Sequence, residues 1–205
     1  MKVELHLHTS RYSACAQASP RELMTRCMHC GYKAVYITEH DAVWSDGEID
    51  ELQSEFPQIK IFGGVELTIS YLPLRHLIVL GTNDPQYLQF GDDPAAVLAK
   101  ARREGHLSIL AHPFRWEDAE TVLDPQDLPD ALEYMTCNQT LPRQLQEVQL
   151  AADRFKLATV NAGDVHSLEF IDRYWIETNG PIEAADSIRP IVLKGAYRNI
   201  AAQRL

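Results

Sequence analysis

Along nearly the whole chain, short runs rich in Val, Ile and Leu alternate with longer amphipathic runs. "VELHLHT", "AVYITEHD", "IKIFGGVELTIS", "RHLIVLGT", "LSILAHP", "ALEYMTC", "LATVNAGDVHS" and "RYWIETN" have the length and β-branched content of strands. Between them, "SPRELMTRCMHCG", "GEIDELQSEF", "DPAAVLAKARREG" and "LPRQLQEVQLAADRF" read as helices. Strands alternating with helices restrict a chain to βαβ units and a mainly parallel sheet, and roughly seven such units predict an α/β barrel rather than a short open sheet.

Local punctuation supports these boundaries. Ser19 is placed to cap a helix that Pro20 begins and Gly31 stops; Asp93, Pro94 and Gly105 do the same for a second. "YLPL" joins two strand runs closely enough to predict a hairpin.

The chain has 205 residues, enough for one domain over 1–205 with a real core. Its net charge of −10 argues against the basic face that an extended nucleic acid or a membrane surface would require. The start, "MKVELHLHTS", has no apolar segment of a secretory signal, and no apolar run approaches the ~20 residues of a membrane span. Cys15, Cys27, Cys30 and Cys137 show no disulfide spacing, which predicts reduced thiols and a cytoplasmic location.

The acids and histidines fall at particular places. His6 and His8 alternate with Leu5 and Leu7 on the first strand. His40 closes the second, Glu66 ends the third, His76 begins the fourth, and His112 ends "LSILAHP". Asp164 and His166 repeat the i, i+2 spacing in "GDVHS". Carboxyl ends of parallel strands gather on one face of such folds, which is where active sites form. Six of the eight histidines are placed this way. Neutral imidazole with carboxylate suits zinc, manganese or iron, so a metal site is expected there.

In order along the chain, "HLHTSRYS", "ITEHD", "GVEL", "LAHP" and "GDVHS" resemble the motif set of the PHP family, the polymerase and histidinol phosphatase domains. The resemblance runs to about residue 170. It implies a distorted seven-stranded (β/α)7 barrel with a multinuclear metal site at the carboxyl ends of the strands. By resemblance, His6, His8, Glu66 and Asp164 hold one ion. Glu66 bridges to a second, completed by His76 and His112, and His40 and His166 contribute to a third. The cofactors implied are two or three divalent ions.

Two positions depart from the family pattern. The loop after H-x-H reads "RYSACA", without the acid or histidine that many relatives place there, so Cys15 ligates the third position or that position is weak or empty. Glu39 stands where relatives carry Asp, and its longer side chain is expected to orient His40.

The activity implied is hydrolysis of a phosphoester in a small phosphomonoester, a nucleotide or the end of a short oligonucleotide. Glu66 would flank the attacking water, Asp164 or His166 would move its proton, and His40 would protonate the leaving group. Arg11, Arg75 and Arg115 each lie close in sequence to an expected ligand and are candidates for holding the phosphate. The alternatives are a polymerase-associated type of exonuclease and a non-catalytic metal-binding module. "CMHC", with its CxxC spacing, reads as helix packing, and His29 and His106 as surface residues. Glu133, an acid in an apolar strand, needs a buried partner.

Overall fold

The computed structural model describes residues 1–71, 74–91, 93–116 and 125–202. Its strands are β1 (Lys2–Leu7), β2 (Ala34–His40), β3 (Lys60–Tyr71), β4 (Leu74–Leu80), β5 (Leu107–Ala111), β6 (Ala131–Glu133), β7 (Ala158–Val160), β8 (Tyr174–Thr178) and β9 (Tyr197–Ala201). The helices are α1 (Pro20–His29), α2 (Asp46–Glu55), α3 (Pro94–Glu104), α4 (Pro142–Phe155) and α5 (Ile188–Leu193).

Helix boundaries follow side-chain chemistry. Ser19 and Ser45 each accept from the backbone N–H three residues on, and Glu22 and Glu48 return the bond to the cap backbone. Asp93 caps α3, which Pro94 begins and Gly105 ends at φ 83°. That left-handed backbone favours glycine, as the sequence anticipated.

All nine described strands form one sheet, in the order β7-β6-β5-β4-β3-β2-β1-β8-β9. The expected distorted seven-stranded (β/α)7 barrel holds only in part, because the sheet of the described residues has nine strands. Four pairings are parallel (β1–β2, β2–β3, β5–β6, β6–β7) and four are antiparallel (β3–β4, β4–β5, β1–β8, β8–β9). Connection length reverses β4 and so accounts for two of the four antiparallel pairings, β3–β4 and β4–β5. The β3–β4 link is a hairpin, too short for the helical crossover that parallel strands need, so β4 runs backwards. The two residues at its tip, Leu72 and Pro73, lie outside the described residues.

The sheet curls until it nearly closes. Beyond β7, Val165 turns back to bridge Leu7 in parallel, with His8 N–H donating to Val165 O at 2.9 Å and Val165 N–H to His6 O at 3.0 Å. Side chains stitch the remaining seam between the edge strands. Asn199 Oδ1 accepts from Asn161 N (2.7 Å), while Asn199 Nδ2 (2.8 Å) and Tyr197 OH (2.7 Å) donate to Thr159 O.

The barrel interior is apolar below the site: Val3, Leu5, Tyr36, Ile78, Leu80, Ile109, Val160 and Ile176 pack together there. Outside, α1 and α2 pack on Leu7, Val35 and Ile37, α3 on Val65, Leu77 and Val79, and α4 on Leu110 and Leu132. Among the described residues no helix is long and apolar enough to cross a membrane.

Candidate metal centre

Eight side chains meet at the rim above that apolar interior. His6 comes from β1 and His8 from the residue just after it, His40 from the end of β2, Glu66 from β3, and His76 from near the start of β4. His112 follows β5, and Asp164 and His166 follow β7. The reversed direction of β4 brings its first residues to this rim: His76 pairs with Thr68 on one side and Ala111 on the other.

Simple alternation does not place the first two histidines. Val3 and Leu5 face the barrel interior and Leu7 faces the helices, yet His6 and His8 also face inward. A β-bulge between Glu4 and Leu7 reconciles them: β1 advances three residues, from Glu4 to Leu7, while β2 advances two, from Val35 to Ile37. The extra residue lets Leu5 and His6 share the inner face, and such bulges re-aim side chains beside active sites. Glu4 holds the bulge from the helix side. Its Oε1 accepts from Leu5 N (3.0 Å), His6 N (3.0 Å) and Gly163 N (2.7 Å). Gly163 must be glycine here, because a Cβ would lie 2.7 Å from Glu4 Oε2 and 2.4 Å from Val165 Cγ2. Burial pushes the Glu4 carboxyl up to about 7 despite these three donors.

Glu66 is the centre of the cluster and is fully buried. Its Oε2 lies 3.1 Å from His6 Nε2, 3.1 Å from His8 Nε2 and 3.0 Å from His40 Nδ1. Its Oε1 lies 2.9 Å from His76 Nδ1 and 3.3 Å from His112 Nε2. Neither oxygen accepts a hydrogen bond, despite five ring nitrogens at that range. Asp164 Oδ1 stands 3.6 Å from His6 Nε2, 3.7 Å from His8 Nε2 and 3.3 Å from His166 Nδ1. His6 Nε2 and His8 Nε2 approach to 2.8 Å.

This geometry is poor for hydrogen bonding and good for cations. Every ion-pair partner of Glu66, Asp164 and Glu133 among the described residues is a histidine. Three buried carboxylates without Lys or Arg cost several kcal/mol each unless positive charge is supplied. Burial works against charge at His6, but Glu66, Glu133 and Asp164 outweigh it and pull that imidazole above its ordinary range. Burial likewise raises Glu66 and Asp164, and the imidazole charge, His6 foremost, overcomes it and holds both well below the carboxylate range. Divalent cations would supply the same charge without protonating a ligand, and ionised carboxylates with neutral rings are the forms that bind them. Burial pushes His8 down to about 3, so its ring is neutral. Three triads have donor atoms within 4.8 Å of one another: His8, His40 and His166; His6, His8 and Asp164; and His40, Glu66 and His76. The residues present therefore fit metal ions, with Glu66 shared between two groups of rings.

A second layer aims these groups. Glu133, expected to need a partner, accepts from His6 Nδ1 at 2.7 Å and from His112 N at 2.7 Å. The proton on Nδ1 leaves His6 Nε2 as the lone-pair atom facing Glu66. Asn138 Nδ2 donates to Asp164 Oδ2, leaving Oδ1 for the cluster. Nothing in the pattern of Asn138 marks it in the sequence; only the fold brings residues 137–138 against 163–164. Three residues at this rim, Asp41 (φ 47°), His112 (φ 27°) and Asp164 (φ 48°), hold a left-handed backbone without being glycine. Such strain concentrates at functional sites.

The three arginines divide differently. Arg11 is ion-paired to Glu48 and stacked on Tyr12 and Trp44, exposed at the surface. Arg75 neighbours His76 along β4, so its side chain leaves the opposite, helix-facing side of the strand. Arg115 follows His112 in a turn closed by its own N–H to His112 O (3.0 Å), and its guanidinium covers Trp116. Cys15 is exposed and belongs to none of the three triads. His29 is exposed as expected, whereas His106 is half-buried against Tyr87. Cys27 of "CMHC" is buried in the helix-facing core, as the packing reading required.

No protein-family model and no curated protein matches the sequence. Solved structures do match in fold. A two-domain protein from Bacteroides vulgatus containing a predicted PHP-like metal-dependent phosphoesterase aligns with a TM-score of 0.72 at 16% identity, over 98% of this chain. The chain spans 64% of that protein's length. An amidohydrolase from Chromobacterium violaceum with bound sulfate gives 0.59 at 16% identity, covering 82% of this chain and 88% of its own. A lesion-specific endonuclease from Pyrococcus furiosus gives 0.63 at 12% identity, covering 97% of this chain and 57% of its own. These likenesses show that the chain shares its fold with these structures, one of which contains a predicted PHP-like metal-dependent phosphoesterase.

Proposed function

We propose that the chain is a metal-dependent hydrolase of phosphoester bonds in small phosphorylated molecules. The observation that carries this reading is Glu66: a buried carboxylate with no hydrogen-bond donor, its two oxygens divided between two groups of imidazoles. That is the arrangement expected of a group shared between two cations. His6, His8 and Asp164 would complete one position, His76 and His112 another, and His40 and His166 would contribute to a third. Bound there, divalent ions would polarise the phosphoryl oxygens and make a water nucleophilic near neutral pH.

The chain's own residues supply the rest. His40 and His166 are the most solvent-exposed of the eight, at 29% and 17% of their side chains, so they can exchange protons with the mouth. With the third position empty, protonated His40 would give its proton to a departing alkoxide. Asp164 and His166, linked at 3.3 Å, take the proton from the attacking water. Arg115, beside the His112 turn, is the guanidinium best placed to hold a phosphate, since Arg11 is engaged by Glu48. The net charge of −10 favours a small anion over an extended nucleic acid.

The test is phosphate release from phosphomonoesters, nucleotides and a short oligonucleotide, with and without chelator, after addition of manganese or zinc. Metal-dependent release that Asp164→Asn lowers by at least a hundredfold is expected. Hydrolysis of an amide panel with none of phosphoesters would assign the site to other chemistry, and silence on both would leave a binding module.

A further inference from the structure

The loop between β1 and α1 contains a hydroxyl that the hydrolytic scheme does not use. Ser13 is buried, at 1% exposure, and its Oγ has three polar neighbours. Glu39 Oε2 lies at 2.6 Å, the backbone N of His40 at 3.1 Å and His8 Nδ1 at 3.3 Å. A hydroxyl has one proton and two lone pairs, so only one of the three can receive a proton from it. The His40 amide can only donate. The choice therefore lies between Glu39 and His8.

Glu39 settles that choice. It is fully buried and is surrounded by donors: Thr9 N at 3.0 Å, Thr9 Oγ1 at 2.5 Å and Trp44 Nε1 at 3.0 Å. The Thr9 hydroxyl in turn accepts from Arg11 N at 3.2 Å, so its own proton is directed to Glu39. The serine contact to Glu39 is much shorter than its contact to His8, as expected of O–H donating to a carboxylate. With its proton committed, Ser13 can only accept from His8. We infer that Ser13, polarised by Glu39, is a positioning residue that fixes the proton of His8 on Nδ1 and tethers the His40 backbone.

The consequence lies at the other ring atom. With the proton on Nδ1, His8 presents the Nε2 lone pair to Glu66 and His6. Glu133 does the same for His6 through its Nδ1. The two histidines of the H-x-H pair are thus aimed from opposite sides by different elements, β6 for His6 and the Ser13 loop for His8. Glu39, expected to orient His40, reaches its backbone through the serine. Ser13 has no part in the proton transfers assigned to Asp164, His166 and His40.

This inference rests on the cluster being a cation site, but its first readout needs neither metal nor substrate. Two-bond proton–nitrogen NMR of chelated protein, at a pH where the rings are neutral, reports each histidine tautomer. The parent is expected to show His8 protonated on Nδ1, and Ser13→Ala to shift it towards the Nε2–H form common in free imidazole side chains. Zinc affinity, read by competition with a chromophoric chelator, is expected to fall about 10- to 100-fold in Ser13→Ala. Ser13→Thr, which restores the hydroxyl, should recover the parent tautomer. A merely structural role would lower the melting temperature of the metal-free protein and leave the tautomer alone. If Ser13→Ala does not fold, Glu39→Gln puts the same question, because its amide can donate to Ser13 and release the serine proton to His8. An Nε2–H tautomer in the parent, or an unchanged tautomer in the variant that folds, overturns the inference. Absence of zinc binding to the parent, with the tautomer as stated, would count against the metal site and leave the serine link standing.

Discussion

Replacing Glu66 with Gln is expected to reduce metal-dependent hydrolysis by three orders of magnitude or more, without unfolding the chain. The substitution keeps the size of the side chain and removes its charge. In the parent, five imidazole nitrogens stand within 3.3 Å of the two carboxylate oxygens, and none donates a hydrogen bond to them. An amide cannot be shared between two cations as a carboxylate can, and its NH2 would point protons at ring nitrogens that ought to face metal. Losing several kcal/mol of transition-state stabilisation at about 1.4 kcal/mol per factor of ten gives the stated size. Steady-state phosphate release with saturating manganese measures it, alongside circular dichroism to verify the fold. Activity within tenfold of the parent would mean that Glu66 does not bridge the cations.

Glu4→Ala is expected to cost more stability than any substitution within the rim. It strips the acceptor from three buried donors, Leu5 N, His6 N and Gly163 N. Each unsatisfied buried N–H costs about 1–3 kcal/mol, so the total is on the order of 5 kcal/mol, comparable to the whole stability of an ordinary domain. Denaturant titration of the metal-free protein checks this, and a loss under about 1 kcal/mol would mean that the bulge holds itself. Glu4→Gln keeps an acceptor at the same place and so separates geometry from charge. Its predicted signature is in pH dependence. The folded-state value of the Glu4 carboxyl is raised from 4.5 to about 7 by burial. Its stabilising contribution is therefore fully present below about 4.5 and is lost as pH rises through about 7, a difference of about 3 kcal/mol. Glu4→Gln should flatten that part of the stability profile between pH 5 and pH 8.

These two residues also mark where a reading of the sequence works and where it stops. Glu66 is legible in part: the pattern groups this acid with the strand-end histidines, but it ends the strand at Glu66, whereas β3 runs on to Tyr71 as one arm of the hairpin and Glu66 pairs with His40 from mid-strand. The capped helices are legible too, because Ser19, Asp93 and Gly105 act on their own neighbours in the chain. Glu4 is not. Period-two alternation puts His6 and His8 on one face and Leu5 and Leu7 on the other, and so hides a bulge that places Leu5 and His6 together inside. The sign of trouble was an acid in an apolar strand, which needs donors that only the folded chain reveals. The β7 run shows the same limit: its pattern predicts a strand to "DVHS", but the ladder stops at Val160 because the chain leaves to bridge β1. The last turn of structure, α5 and β9, escaped because its helix has six residues with Pro190 inside, and its strand is an exposed edge. The outer supports, Glu133 through His6 and Asn138 through Asp164, depend on contacts between distant segments and carry no local spacing.

On the proposed function, this cluster holds divalent cations in a shared, carboxylate-bridged site. Its most direct measurement is metal content by elemental mass spectrometry, on chelated protein reloaded separately with zinc and manganese and freed of excess by gel filtration. The expected result is at least two tightly held ions per chain for one of these metals. A chain that retains none, while its fold is intact, would contradict it.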